Sequence, residues 1–141
     1  MSVYTTDGGM FDDVNWLAVL VGTIAYMIIG FVWYTGFSSL WMDAMGMTGD
    51  EMAGDSPTIG YLITTLGSFV AVVSLALLVG WVDASTWQDG AVLGAIVGIG
   101  FVATTAVQAV PFEGRAWSLY AINTGYNVVA LVGIAILLVV W

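Results

Sequence analysis

Four long stretches of the chain are uncharged and mostly apolar, and all charged residues lie outside them. The stretches run from Trp16 to Tyr34, Thr58 to Val82, Gly90 to Val110 and Trp117 to Trp141. Because an α-helix rises about 1.5 Å per residue, about 20 apolar residues cross a hydrocarbon core roughly 30 Å thick. Each stretch is about that long or longer. The pattern therefore predicts four membrane-spanning helices, over about residues 15–35, 58–82, 89–110 and 117–141.

The connections between these spans predict how the helices pack. Residues 83–89 and 111–116 are short connections, and Pro111 is expected to end the third span. Short connections between long helices favour antiparallel neighbours. We therefore predict an all-α fold: residues 1–141 form a single transmembrane domain, an integral membrane four-helix bundle.

The first loop, residues 35–57, is the longest connection. Apolar residues recur in it at helical spacing, at Phe37, Leu40, Trp41 and Met45. This spacing predicts a short amphipathic helix lying at the membrane interface. Further along the loop, Thr48 and Glu51 have the spacing of a capping box, which predicts another helical turn.

Charge is extremely unbalanced, with ten acidic residues against one basic residue, Arg115, and a net charge of −9. All ten acids lie outside the apolar stretches, which we interpret as the acidic surface of a salt-loving (halophilic) host, with a cation-collecting vestibule as the alternative. Cytoplasmic loops carry the excess of basic residues in membrane proteins. Arg115 therefore places the first and third loops inside and both termini outside, in a multi-pass protein of the cell membrane.

Several kinds of chemistry are excluded by residue types that the sequence lacks. Without cysteine and histidine, the chain has neither a thiolate nor an imidazole for catalysis or metal binding, and without lysine it cannot form a Schiff base. Asp50, Glu51 and Asp55 do not follow the pattern of an EF-hand. We expect no enzyme activity, no metal and no cofactor. Nucleic acid is a poor partner for so acidic a surface, whereas membrane lipids are expected partners.

The third span carries Gly90, Gly94 and Gly98 at four-residue spacing, on one face of the helix. Small residues let helix backbones approach closely in a membrane. This glycine ridge is expected to pack against the first or fourth span, with a seam between copies of the chain as the alternative.

Polar side chains within the spans are concentrated in one half of the bilayer, nearest the first and third loops. The candidates for a cavity or for bonds between helices are Tyr26, Thr64, Ser68, Thr104, Gln108, Tyr120, Asn123 and Asn127. Because an amide in hydrocarbon requires a partner or water, these residues either hydrogen-bond between helices or line a polar cavity. Glu113 and Arg115, two residues apart, are expected to form a local ion pair at the mouth of such a cavity.

Two segments of the chain carry a family resemblance. The first is Asn15-Trp16-Leu17-Ala18 leading to Gly30-Phe31-Val32-Trp33-Tyr34, then Phe37, Trp41, Met42 and Gly46. The second is Phe112-Glu113-Gly114-Arg115, followed by Ile122-Asn123, Gly125-Tyr126 and the stretch from Gly133 to Trp141. Together they resemble the small prokaryotic four-span membrane proteins catalogued as domain of unknown function 1761.

This resemblance covers nearly the whole chain and implies a four-helix membrane protein without an established activity. The positions that it carries over most strongly are Glu113 and Arg115, whose role it leaves unassigned. Family members often have proline and lysine in the first loop, where this chain has Thr35, Gly36, Ser38 and Ser39. That departure argues against an anion site in the loop.

The sequence thus favours a structural or accessory membrane protein that binds a lipid or a membrane partner through its helices. The alternative is an oligomeric permease or channel for small solutes that uses the polar cavity. A second copy of the chain or another membrane protein are the partners to be considered. The sequence leaves the ligand, the partner and the oligomeric state open.

Overall fold

Helices account for most of the structure, and four of them are long and apolar enough to cross a membrane. The computed structural model describes residues 8–48 and 57–141. In chain order the described helices are α1 (Trp16–Gly36), α2 (Ser38–Met45), α3 (Pro57–Trp81), α4 (Trp87–Glu113) and α5 (Trp117–Val140). The predicted all-α class and the four membrane-capable helices are confirmed, and no strand occurs within the described ranges.

The first two helices begin and end at residues with a local reason to do so. Asn15 caps α1, because its side-chain oxygen accepts a hydrogen bond from the backbone N–H of Ala18 at 3.1 Å. The short helix predicted in the first loop is α2, which ends at Gly46 in the left-handed conformation, with a φ of 65°. Glu51 lies outside the described residues, as do Asp50 and Asp55, so the capping box predicted with Thr48 does too.

The helix α4 departs from the predicted third span at both ends. It begins at Trp87, where Thr86 and Asp89 form a capping box that satisfies backbone N–H groups of the first turn. The prediction that Pro111 ends the span is wrong, since the helix continues to Glu113. Val107 and Gln108 form a turn that interrupts the helical hydrogen bonds, and the N–H of Val110 donates to the Val107 carbonyl at 3.1 Å. Pro111, which has no N–H, therefore leaves that carbonyl satisfied.

A second irregularity of α4 lies in its middle. Residues Ile96–Ala103 are π-helical, between α-helical turns on either side. Hydrogen bonds in a π-helix span five residues instead of four, so the helix is wider there and its faces rotate relative to an uninterrupted α-helix. The residues that follow this segment consequently face a different direction from the one that α-helical spacing predicts.

The last helix, α5, is the centre of the bundle, and α1 and α4 both pack along it. Gly22, early in α1, lies beside Ile134 and Leu137, late in α5, so these two helices are antiparallel. The largest fully buried side chains are Val19, Val72, Leu75 and Ile134. These apolar residues fill the half of the bundle that contains the start of α1 and the end of α5.

The glycine ridge of α4 lies against α5, backbone to backbone. A Cβ atom added to Gly94 would lie 2.5 Å from the Cα atom of Val132, and one added to Gly90 would lie 2.9 Å from the carbonyl oxygen of Ala135. At Gly98 the nearest atom would be the Cα atom of Val128, at 3.0 Å. Since real Cβ atoms essentially never lie closer than 3.0 Å, glycine is what permits this approach of the two helices.

Candidate functional site

Two asparagines of α5 bind two tyrosines of α1 in the half of the bundle nearest the first and third loops. The hydroxyl of Tyr26 donates to Oδ1 of Asn127, and the hydroxyl of Tyr34 donates to Oδ1 of Asn123, both at 2.9 Å. The Nδ2 group of Asn127 donates to the backbone carbonyl of Asn123, also at 2.9 Å. One turn separates the asparagines on α5 and two turns separate the tyrosines on α1, so the pairs lie at successive depths. The two tyrosine–asparagine bonds join α1 to α5.

Close contacts between rings and glycines surround these bonds. The indole Nε1 of Trp33 donates to the carbonyl of Ile122 at 3.0 Å, and its ring lies so close to Gly125 that a Cβ there would be 2.9 Å away. On the opposite helix, the hydroxyl of Tyr126 lies where a Cβ of Gly30 would be 3.0 Å away. Both glycines therefore make room for an aromatic ring of the facing helix.

A groove of about 420 Å³ lies between α3 and α4, which barely contact each other. Its residues on α3 include Gly67, Ala71 and Leu78, and α4 contributes Val97 and Val102 from the π-helical segment. The base of the groove is formed by residues of α1 and α5, namely Tyr26, Tyr126, Asn127 and Leu131.

The hydroxyl groups in this groove are already bonded. Thr64 donates to the carbonyl of Gly60 and Ser74 to the carbonyl of Val70, both within α3 and at 2.8 Å. Ser68, which is buried, lies 3.6 Å from the sulfur of Met27 on α1. The groove therefore presents mainly methyl, methylene and ring surfaces to whatever fills it.

A second, more polar cavity of about 350 Å³ lies between α4 and α5 near their connection. Its residues are Thr105, Ala106, Gln108, Ala109, Glu113, Arg115, Leu119, Tyr120, Asn123 and Thr124. We call it the loop-end cavity. Asn123, in its lining, is one helical turn from Asn127, at the base of the groove, so the two cavities follow each other along α5.

The polar groups of the loop-end cavity differ in how far they are satisfied. Tyr120 donates to the carbonyl of Ala103 at 3.0 Å, which joins α5 to α4. Nε of Arg115 donates to Oε2 of Glu113 at 2.7 Å, and both side chains are more than half exposed. Gln108 is exposed along the same wall. The cavity thus presents amide and hydroxyl groups and one ion pair whose charges cancel.

The structure separates the predicted polar residues into groups. Tyr26, Asn123 and Asn127 bond between helices, while Asn123 also lines the loop-end cavity together with Gln108 and Tyr120. Thr64 and Ser68 line the groove. Thr104 lines neither cavity, since its hydroxyl bonds to the carbonyl of Gly100 within α4, at 2.6 Å, and the side chain is exposed.

Sequence reasoning missed two contributors to this region. Nothing in the sequence distinguishes Thr124 from the other threonines of the spans, yet its side chain is buried and lines the loop-end cavity. A tryptophan near the end of a span is typical of the membrane interface, whereas the indole N–H of Trp33 bonds to α5. The signal for Trp33 was available in Gly125, a small residue on the facing helix. Among the described residues, no three acidic side chains lie together as a metal site.

Comparison with models of known protein families shows to which family the chain belongs. The family model described as "Protein of unknown function (DUF1761)" matches residues 17–139, from the first turn of α1 to the last turn of α5. The chain belongs to this family. Searches of curated proteins and of solved structures gave no match.

Membership in the DUF1761 family agrees with the resemblance carried by the two motif segments. Trp33 and Tyr34 from the first segment bond to Ile122 and Asn123 from the second. Gly125, also in the second segment, makes room for Trp33. The motif residues are thus brought together at the contact between α1 and α5, beside both cavities.

Proposed function

We propose that the protein binds an amphipathic membrane lipid within its bundle, with an acyl chain in the groove and the headgroup in the loop-end cavity. The observation that carries the proposal is the order of the two cavities along α5. An apolar groove between α3 and α4 is followed, one helical turn away, by a polar cavity near the third loop. That is the order of the parts of a lipid that extends from the interior of a bilayer to its surface.

The size of the groove suits one acyl chain. A water molecule occupies about 30 Å³ in the liquid, and a methylene group has a similar size, so about 420 Å³ holds roughly 14 such groups. The bonded hydroxyls of Thr64 and Ser74 add little polarity to its walls. An alkyl chain would occupy this volume without leaving a polar group unsatisfied.

Conduction of a solute, the alternative function, is less well supported. A path across the bundle would have to pass Val19, Val72, Leu75 and Ile134, which fill the half nearest the chain termini. A channel within one copy of the chain would need to displace these packed side chains. We also propose binding rather than catalysis, since the loop-end cavity offers amides, hydroxyls and a compensated ion pair but no activated nucleophile.

A glycine of the groove provides the test. Gly67 lines the groove, and no atom lies within 4 Å of a Cβ added to it, so Gly67→Leu adds four carbons at the groove from a position with open space around the Cβ. An acyl chain that leaves the groove enters detergent or other lipid tails, so only its packing against the walls is lost, about 1–2 kcal/mol or roughly tenfold in lipid affinity. The matched control is Gly60→Leu, on the same helix. No atom lies within 4 Å of a Cβ added to Gly60, and this residue does not line the groove.

The measurement is lipid carried through purification in mild detergent and identified by mass spectrometry, together with titration of lipid into protein stripped of it. We expect the wild type and Gly60→Leu to retain lipid and Gly67→Leu to lose it, with equal unfolding temperatures in lipid-free detergent. Equal lipid retention by all three proteins would refute the proposal, because the groove would then not be the site.

A further inference from the structure

The buried hydroxyl of Thr124 points to the kind of headgroup that the loop-end cavity takes. Five threonines within the helices donate to the carbonyl four residues earlier: Thr23, Thr64, Thr65, Thr104 and Thr105. Thr124 does not. Only 8% of its surface is exposed, and its Oγ1 atom has no hydrogen-bond partner among the described residues.

An unbonded buried hydroxyl destabilises a membrane protein unless something else satisfies it. The carbonyl of Tyr120 lies at the position where other helical threonines of this chain find their acceptor, yet the Thr124 hydroxyl does not use it. Since Thr124 lines the loop-end cavity, an occupant of that cavity is the candidate for the missing partner, once the side chain turns its hydroxyl toward it. A ligand atom that both donates and accepts hydrogen bonds would fit a hydroxyl of this kind.

The remaining polar groups of the cavity are amides. The hydroxyl of Tyr34 donates to Oδ1 of Asn123. The Nδ2 group of Asn123 is therefore the donor that this side chain offers to the cavity. Gln108 adds a second amide with one acceptor and one donor group. A set of hydroxyl and amide groups, each able to bind a hydroxyl, matches a ligand that carries several hydroxyls.

The charge of the cavity argues against an anionic headgroup. Arg115 is the only basic residue of the chain, and Glu113 neutralises it through a contact of 2.7 Å. The protein as a whole carries a net charge of −9. A phosphate placed in this cavity would therefore meet one compensated cation on a strongly negative protein.

We infer that the loop-end cavity recognises a neutral, hydroxyl-rich headgroup such as the sugar of a glycolipid, with the Thr124 hydroxyl as one of its hydrogen-bond partners. This inference rests on the proposed function. It adds the chemical class of the headgroup and a residue that selects it.

The test compares headgroups on matched acyl chains, using the full-length protein stripped of lipid. A monoglycosyl diacylglycerol, a phosphatidylcholine and a phosphatidic acid are titrated into wild type and into Thr124→Val. We expect the wild type to bind the glycolipid at least about tenfold more tightly than the other two, the worth of one or two hydrogen bonds. In Thr124→Val this preference should fall about tenfold, with unchanged affinity for the phospholipids.

The control variant is Thr104→Val, which removes a hydroxyl bonded within α4 and lining neither cavity, and should leave the preference intact. Without lipid, Thr124→Val should unfold at the same or a higher temperature than the wild type, because it removes an unsatisfied group. A purely structural role for the hydroxyl would lower that temperature instead. Gln108→Leu, at an exposed position of the same cavity, gives an independent variant that should also reduce the preference.

The outcomes separate this inference from the proposed function. Stronger binding of phosphatidic acid, or equal binding of all three lipids with no effect of Thr124→Val, would overturn the inference and leave lipid binding intact. Methyl glucoside, which has the sugar without the acyl chains, is titrated in parallel. If it binds as tightly as the glycolipid, the cavity recognises hydroxyls but the lipid proposal fails. Binding of none of these probes would refute both.

Discussion

Adding one methyl group at Gly94 tests the closest contact of the bundle. In Gly94→Ala the new Cβ would lie 2.5 Å from the Cα atom of Val132 and 2.7 Å from the carbonyl oxygen of Leu131. Carbon atoms are ordinarily about 3.5 to 4.0 Å apart at contact, so α4 and α5 must separate locally by about 1 Å. Both atoms belong to the backbone, which cannot rotate away as a side chain can.

The magnitude follows from two opposing effects. Overpacking of this kind costs about 1–3 kcal/mol, while replacing glycine by alanine within a helix gains at most about 1 kcal/mol. We therefore expect Gly94→Ala to destabilise the folded protein by about 1–2 kcal/mol. A Cβ at Gly90 or Gly98 would have its nearest atom at 2.9 or 3.0 Å, so alanine there should cost less.

Unfolding by heat or denaturant in mild detergent, with oligomer size followed by gel filtration, measures this difference. The matched control is Gly100→Ala, on the same helix, where no atom lies within 4 Å of an added Cβ. It should be neutral or slightly stabilising. If Gly94→Ala were as stable as the wild type and Gly100→Ala, the backbone contact between α4 and α5 would not exist in the membrane protein.

Further predictions concern the contact between α1 and α5, the orientation and the acidic surface. Tyr34→Phe removes a hydrogen bond between helices and should lower the unfolding free energy by about 0.6 to 1.5 kcal/mol, and an unchanged value would mean that the bond contributes nothing. Gly125→Ala should displace the ring of Trp33, detectable as a shift in tryptophan fluorescence, and an unshifted spectrum would contradict the close fit. For orientation, single cysteines at Ser85 and Ala116 decide the topology: in intact cells an impermeant thiol reagent should label the first and not the second, and the reverse pattern would invert the protein. Raising salt from about 0.1 M to about 1 M, which shortens the Debye length from about 10 to about 3 Å, should raise the unfolding temperature; a fall would argue against the halophilic interpretation.

Hydropathy predicted the spans well because a helix in lipid has few alternatives. Every backbone polar group must bond within its own segment, so an apolar stretch of sufficient length becomes a helix whatever its side chains. The start of α4 was also within reach of the sequence, since Thr86 and Asp89 have the spacing of a capping box. Local chemistry of this kind depends on neighbours along the chain.

The π-helical segment Ile96–Ala103 and the continuation past Pro111 were beyond sequence reasoning. Residues in this part of α4 are apolar all round, so no alternation of polar and apolar positions reveals which face is buried. Pro111 is tolerated because the carbonyl of Val107, which its missing N–H would have bonded, accepts a hydrogen bond from the N–H of Val110 instead. Neither the widened segment nor the turn before Pro111 has a signature in the order of polar and apolar residues.

Among the polar residues too, some positions could be predicted from the sequence and others could not. That Asn123 and Asn127 would need partners followed from their position in hydrocarbon, and the structure supplies Tyr34 and Tyr26. The position of Thr124 did not follow, because a threonine in a membrane helix can ordinarily satisfy itself on its own backbone. The hydroxyl of Thr124 does not do so.

The fit between α4 and α5 has a consequence for how the protein is made. Three residues, 114–116, connect the two helices, and their contact along the glycines needs no other part of the chain. Closing so short a loop costs little entropy, so we expect these helices to pair as a hairpin soon after both have been synthesised. Since α1 and α3 leave the ribosome first, they must remain in the bilayer without their main partner until α5, the last helix, arrives. The fold is then completed from its C-terminal end.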